Sequence, residues 1–460
     1  MTLTLERGTS GSPAGAPRPR RRMVTAMAIG AVAVVAGAGF VVAGHHGRDS
    51  SAVTARASDR PIAPVSTTPT IAQLETRIRT HPTDLAAWQQ LSRDYLLEAI
   101  RSGDPAYYDL TRRALDTSAR LKPGDHTTTV TEGVLALSLH DFAHAHEVGA
   151  VAHRQDPVDA DALAILVDAS VELGRYDEAA THEGELLALR PGSSALSRLS
   201  YLRELHGDLD GARLAMLQAE QAAGSPADLA TIATFVGDAQ LTARDLTGAA
   251  ASYDTARKAS SGLVNTEIGR ARLQAARGDL PGAIVILGAV VDRTPTAAAA
   301  TALGELQDAA GRSAEARASY GLARAGYRLL VAAGSTVDLE SALFEADHGD
   351  PNVAVELGRA AYDARHTVFA ADAYAWALSR AGHPQEARPY IAASLRLGTR
   401  SPILHAHAAI TYAAIGDTAA AARELRVAFS SSAWLVPSLR PAATALADRL
   451  HVAVPTDWRP

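Results

Sequence analysis

The sequence has no cysteine and only two lysines, Lys122 and Lys258, among its 460 residues. Without cysteine there are no disulfide staples, no thiolate nucleophile, no Cys-ligated zinc or iron–sulfur cluster, and no lipid-modified N-terminal cysteine. Neither lysine stands in a Gly-rich phosphate loop or a Ser-x-x-Lys arrangement, so P-loop and β-lactamase-type chemistry lack their residues. Aromatic residues are scarce at 5%, yet hydrophobic residues reach 47%. The apolar mass is therefore Ala, Leu and Val, a helical composition. A formal net charge of −6 speaks against a polyanion-binding surface, so nucleic acid is not an expected partner. No Gly-x-Ser-x-Gly is present, and neither His146-Glu147 nor His182-Glu183 is followed by the second histidine of a zinc-protease motif. The reading is of a non-enzyme with no cofactor and no assigned metal or catalytic residue.

The N-terminus carries a membrane address. Residues 1–22 are small and polar and end in Arg18, Arg20, Arg21 and Arg22, directly before the uncharged stretch 23–44. As a helix these residues span roughly 33 Å, enough for the ~30 Å hydrocarbon core. Basic flanks stay on the cytoplasmic side, which predicts a cytoplasmic tail at 1–22, a single transmembrane helix or uncleaved signal anchor at 23–44, and an extracytoplasmic body. The rival reading is a cleaved signal peptide and a secreted chain, because Ala36-Gly37-Ala38 and Val42-Ala43-Gly44 both offer small-residue cleavage sites. Residues 45–69, rich in Ser, Thr and Pro, read as a flexible linker.

The body is built on a repeat. A turn signature recurs at His140-Asp141-Phe142, Gly174-Arg175-Tyr176, Gly207-Asp208-Leu209, Arg244-Asp245-Leu246, Gly278-Asp279-Leu280, Gly311-Arg312-Ser313, Gly349-Asp350-Pro351, Gly382-His383-Pro384 and Gly416-Asp417-Thr418. The spacings are 34, 33, 37, 34, 33, 38, 33 and 34, and an alanine follows five residues after the start of every signature, from Ala145 to Ala421. Each unit is then a helix, a tight turn, and a second helix whose first buried position must be small so that two backbones can approach. The two long spacings exceed the period by about one helical turn of 3.6 residues and fit a lengthened helix. Pro157, Pro191 and Pro295 end second helices and redirect the chain.

These features resemble the tetratricopeptide repeats. Trp88, Leu91 and Tyr95 fit helix A of the first unit, Leu303-Gly304 with Gly311, Ala316, Tyr320 and Ala323 give the fullest match, and Ala249, Tyr253 and Ala256 another. Stretches such as Leu343-Phe344-Glu345-Ala346 and Ala371-Asp372-Ala373-Tyr374 look like those of membrane-tethered repeat proteins of actinomycete bacteria. The resemblance implies an all-α, right-handed superhelical solenoid of about ten helix-turn-helix repeats at 70–429, with a capping helix and tail at 430–460. It also implies a scaffold that binds other proteins in the concave groove lined by helix A. The family's groove positions fall on Asp161, Asp168, Glu172, Tyr201, Glu204, Asp238, Glu305, Asp308, Asp372 and Trp376. The cations set against them are chiefly Arg93 and Arg380, so the expected groove is acidic and prefers basic or neutral extended protein segments, with Tyr201 and Trp376 as apolar anchors. The plainer reading of the same carboxylates is a solubilising face. A Lys- and Asn-based clamp for acidic chain termini cannot form with two lysines and two asparagines, Asn265 and Asn352.

A second functional class comes from histidine. His140, His144, His146 and His153 share one unit, and an i, i+4 pair such as His140/His144 with Glu147 nearby has metal-ligand spacing, the basis for a metal-handling accessory of a transport system. The structural alternative is a solvated convex face. His405 and His407, two apart on a helix, point to different sides.

Overall fold

A computed structural model describes residues 69–336, 338–431 and 437–455. The basic tail, the 23–44 segment and the linker up to residue 68 lie outside the described residues, and among those described no helix is long and apolar enough to cross a membrane.

The described chain is helical throughout, with 22 helices and no strand. Helix α1 (Ile71–Thr80) leads into ten antiparallel pairs. The first five are α2 (Leu85–Ser102) with α3 (Ala106–Leu121), α4 (His126–Ser138) with α5 (Phe142–Gln155), α6 (Ala160–Glu172) with α7 (Tyr176–Leu189), α8 (Ser193–Leu205) with α9 (Leu209–Gln221), and α10 (Pro226–Thr242) with α11 (Leu246–Ala259). The next five are α12 (Val264–Ala276) with α13 (Leu280–Arg293), α14 (Ala297–Ala309) with α15 (Ser313–Ala332), α16 (Asp338–His348) with α17 (Pro351–Ala364), α18 (Val368–Arg380) with α19 (Pro384–Ser394), and α20 (Pro402–Ile415) with α21 (Thr418–Ser431). Helix α22 (Arg440–Arg449) closes the stack, burying Ala443, Leu446 and Ala447 in a cluster with Leu425 and Phe429.

The repeating signature has a physical cause at each position. Its first residue takes left-handed backbone in every signature but the one at Gly349, as at Gly174 (φ 74) and Gly207 (φ 76), and even where it is His140 (φ 59) or Arg244 (φ 65). The aspartate that follows caps the second helix: Asp141, Asp208, Asp245 and Asp279 each accept a hydrogen bond from the backbone N–H three residues on. Where the third residue is large it packs down, and Phe142, Tyr176 and Leu209 are buried, whereas Ser313 and Thr418 are exposed. All nine periodic alanines are 0% exposed, which is the close approach of two helices that only a methyl group allows. Tyr253 and Tyr320 lie flat over Gly237 and Gly304, where a Cβ would strike the ring. The long spacings appear as the 17-residue α10 and the 20-residue α15.

The stack coils until its turns meet. His140 Nδ1 is 3.1 Å from the Thr336 carbonyl, Val368 N–H donates to Tyr176 Oη at 3.0 Å, and Arg244 donates to the Phe429 carbonyl at 3.3 Å. These partners are separated by 196, 192 and 185 residues, so one superhelical turn holds roughly five to six units. Turns between helices A and B of the lower coil thus sit on the loops between units of the upper coil. At this seam two glycines are needed twice over. A Cβ at Gly174 would stand 2.7 Å from the His366 carbonyl oxygen, and one at Gly207 would collide with the Gly398 carbonyl. Gly311 has the same left-handed backbone (φ 73), but nothing lies within 4 Å of its Cβ position.

That contrast is testable by chemical denaturation. Gly311→Ala is expected to cost only the left-handed backbone penalty, about 1–2 kcal/mol. Gly207→Ala should cost clearly more and increase the radius of gyration, because the seam must open. Equal losses in both variants would contradict a seam at Gly207.

Candidate ligand-binding lumen

Because the first coil closes on itself, the concave faces of its helices A surround one cavity of about 440 Å³. Five of the ten residues expected to line the groove meet there: Asp168 and Glu172 from α6, Tyr201 and Glu204 from α8, and Asp238 from α10. The apolar wall includes Phe142, Met216 and Phe235, and Leu329 near the end of the long α15 stands at the rim, 59% exposed.

The other five lie elsewhere. Asp161 is buried in the first turn of α6, its N–H bonded to Asp159. Asp308 accepts from Tyr320 Oη at 3.0 Å, and Glu305 lies 3.4 Å from His348. Asp372 pairs with His407 at 2.9 Å, and Trp376 donates to Asp347 while its ring stacks on His407, centroids 4.2 Å apart. Burial alone would lower His407, but the charge and hydrogen bond of Asp372 more than offset it, and its pKa is raised.

The lumen carboxylates differ in how they are compensated. Arg198 grips Asp168 with two hydrogen bonds of 2.8 and 2.6 Å, and both side chains are nearly inaccessible. Burial pushes Asp168 up and Arg198 opposes it. Glu172 is held at 3.2 Å by Arg365, which reaches down from the upper coil and lies over the Phe142 ring at 4.9 Å. Asp238 accepts from Tyr253 Oη at 2.6 Å and is pushed up to about 6, chiefly by burial. Glu204, 8% exposed, has no hydrogen-bond or ionic partner among the described residues, and burial, then the charge of Asp238, holds its pKa well above the usual range. The Tyr201 hydroxyl and both carboxyl oxygens of Glu340 on α16 are likewise without hydrogen-bond partners. An ordinary buried polar group is bonded, so these orphaned groups mark the lumen wall as incomplete by itself.

Arg93 and Arg380, the cations expected opposite the groove, are not in its wall: Arg93 bonds Gln90, and Arg380 donates to the Ala346 carbonyl and lies over Trp376. The cations that act are Arg198 and Arg365, which bond Asp168 and Glu172, and Arg272, whose charge opposes the burial of Asp238. A signal for Arg198 exists in the sequence, since it follows Asp168 by 30 residues, close to one repeat, which puts the two on neighbouring helices A. Arg365 follows Glu172 by 193 residues, a separation that only the superhelical pitch explains.

The histidine group is dispersed. His140 faces the Thr336 carbonyl, His144 pairs with Glu132 at 2.9 Å, His146 with Glu178 at 2.7 Å, and His153 packs edge-on against His182. Among the described residues no group of three or more His, Asp or Glu is placed to hold a metal ion.

No family model and no curated protein matches the sequence. Among solved structures the chain is similar to a tetratricopeptide repeat protein from Parabacteroides merdae, at 15% identity over 54% of this chain and 97% of that one, TM-score 0.37. It is also similar to the human IFIT1 dimer with m7Gppp-AAAA, at 14% identity over 71% and 76% of the two chains, TM-score 0.46. A third likeness is to the APC/C hetero-tetramer Cut9-Hcn1, at 14% identity over 83% and 92%, TM-score 0.32.

Behind the Asp168–Arg198 pair, Glu183 on α7 is 2% exposed with neither carboxyl oxygen bonded. Burial raises it to about 8, Arg198 opposing and Asp168 reinforcing. The folded state therefore keeps a proton that the unfolded chain has already lost above its ordinary 4.5, and stability must fall as pH rises from about 4.5 to about 8. Glu183→Gln is expected to remove that fall, gaining on the order of 5 kcal/mol over the native chain at pH 9 and nothing at pH 4. Urea titrations at the two pH values check this, and an equal effect at both would contradict an unpaired buried carboxyl.

Proposed function

We propose that this chain is a membrane-tethered, extracytoplasmic scaffold that holds an extended protein segment, basic or neutral, against an acidic concave wall. The observation that carries the reading is the lumen, where Glu204, Asp238 and Glu340 lack a cationic partner within hydrogen-bonding distance while the nearby Arg198 and Arg365 are committed to Asp168 and Glu172. A volume of about 440 Å³ suits a few side chains of a segment rather than a folded domain. Tethering rests on the uncharged stretch 23–44 behind four arginines, and the linker would hold the repeat body off the bilayer. No catalytic step is assigned, because the lumen's titratable groups include no nucleophile with an adjacent base.

A photo-crosslinking residue placed at Leu329 in the full-length chain, in its native host, should capture a defined protein, whereas the same residue at Val285, 72% exposed on α13, should not. Identical products from both positions, or none from Leu329, would overturn the scaffold reading. Tethering has its own check: the intact chain should stay with carbonate-washed membranes and be degraded by protease added to intact cells, and deletion of residues 1–44 should release it. Protection of the repeat body in intact cells would contradict the extracytoplasmic placement.

A further inference from the structure

We propose that the lumen reads one chemical feature of its ligand, a single ammonium group on an apolar stem, with Glu204 as its counter-ion. The inference rests on the concave face being a binding face and narrows what that face selects.

Four observations lead to it. First, Glu204 is a carboxyl on the cavity wall with less than a tenth of its surface exposed and no protein partner among the described residues. Second, the cations near it are already bonded, Arg198 to Asp168, Arg101 to Glu98 and Arg365 to Glu172. Third, Tyr201, one helical turn before Glu204, presents a hydroxyl that is also without a hydrogen-bond partner. Fourth, the wall of the same cavity carries large apolar side chains, Met216 and Phe235 among them. A stem fits against the last two, and a positive head fits the first.

The donor count separates the candidate heads. An ammonium has three N–H donors, and once Glu204 has given up its proton to solvent on binding, its two oxygens and the Tyr201 hydroxyl match them in number. A guanidinium brings five donors in a rigid plane; Glu204 takes two as a fork and Tyr201 a third, which leaves two more to satisfy than an ammonium does. A divalent cation takes six or more oxygens in the hard-metal case, and the apolar side chains here supply none. The neighbouring carboxylate of Asp238 accepts from Tyr253 through one oxygen and adds negative field beside the head.

The same head arrives from two sources, a free small amine or a lysine side chain on a protein segment, and titration calorimetry on the purified full-length chain distinguishes them. One arm compares tryptamine with its uncharged counterpart tryptophol. The other compares the peptide acetyl-Gly-Phe-Lys-Phe-Gly-amide with the same peptide acetylated on the lysine amine. In at least one arm the charged form should bind about tenfold or more tightly than the neutral one, and Glu204→Gln should erase that preference while the variant's unfolding temperature without ligand stays at or above the native value. The arm that binds identifies the source. Charged and neutral forms binding alike, absence of binding in both arms, or a preference that survives Glu204→Gln would overturn the proposal. The crosslinking result at Leu329 does not depend on any of these, so a captured partner together with indifferent amines would retire the ammonium reading and leave the scaffold standing.

Discussion

The contact between successive coils of the superhelix is the constraint on which the rest of the structure depends. A stack of helix pairs alone is an open spring whose concave face is a groove in water. Here the turn of one unit, through Gly174, Tyr176 and Glu172, bears on the loop and helix start at Arg365, His366 and Val368 of another unit 192 or 193 residues later. Backbone touches backbone at this seam, and for that reason its glycines are determined by a neighbour as well as by their own turn. Once the spring closes, the groove becomes a lumen, and the carboxylates on its wall lose most of their contact with water.

That desolvation decides the chemistry of the wall. In an open groove Asp168, Glu172, Glu204 and Asp238 would be ordinary solvated carboxylates that steer ligands from a distance. Inside the closed coil an ionised group without a partner is costly, so each must be paired, bonded or kept neutral. Asp168 and Glu172 are paired by arginines, one from the next unit and one from the next coil. Asp238 is bonded by a tyrosine, and Glu204 has neither. The wall therefore offers two unbonded carboxyls, Glu204 and Glu340, where the sequence suggested a spread of negative charge, and its selectivity is local rather than a long-range field.

Most of the fold is written in the sequence because the repeat imposes the same physical demand many times. Nine alanines at one phase, all fully buried, define the helix crossing, and aspartates such as Asp208 and Asp279 mark where second helices begin. Tyr320 over Gly304 could be read from the Leu303-Gly304 and Tyr320 pairing alone. The site is less legible. Half of the groove positions transferred from the family resemblance do meet in one cavity, since helix A faces inward in any such stack. Side chains one period apart pair across neighbouring units, as Asp168 with Arg198, Asp372 with His407 and Thr234 with Thr266 do, a regularity visible in the spacing but easily missed when residues are judged singly. The seam has no such signature. The number of units per coil comes from small crossing angles summed over several interfaces, so nothing local to Arg365 or Gly207 announces what they touch.

Closure of the coil is the central claim, and its most direct test is a distance. The chain has no cysteine, so spin labels on cysteines introduced at Asp177 and Ala392, exposed sites on α7 and α19 that flank the seam at Tyr176, would be the only ones present. In the full-length protein, pulsed electron resonance should give one narrow distribution at the short end of the measurable range. A long or broad distribution would show an open spring and contradict the seam, and with it the lumen.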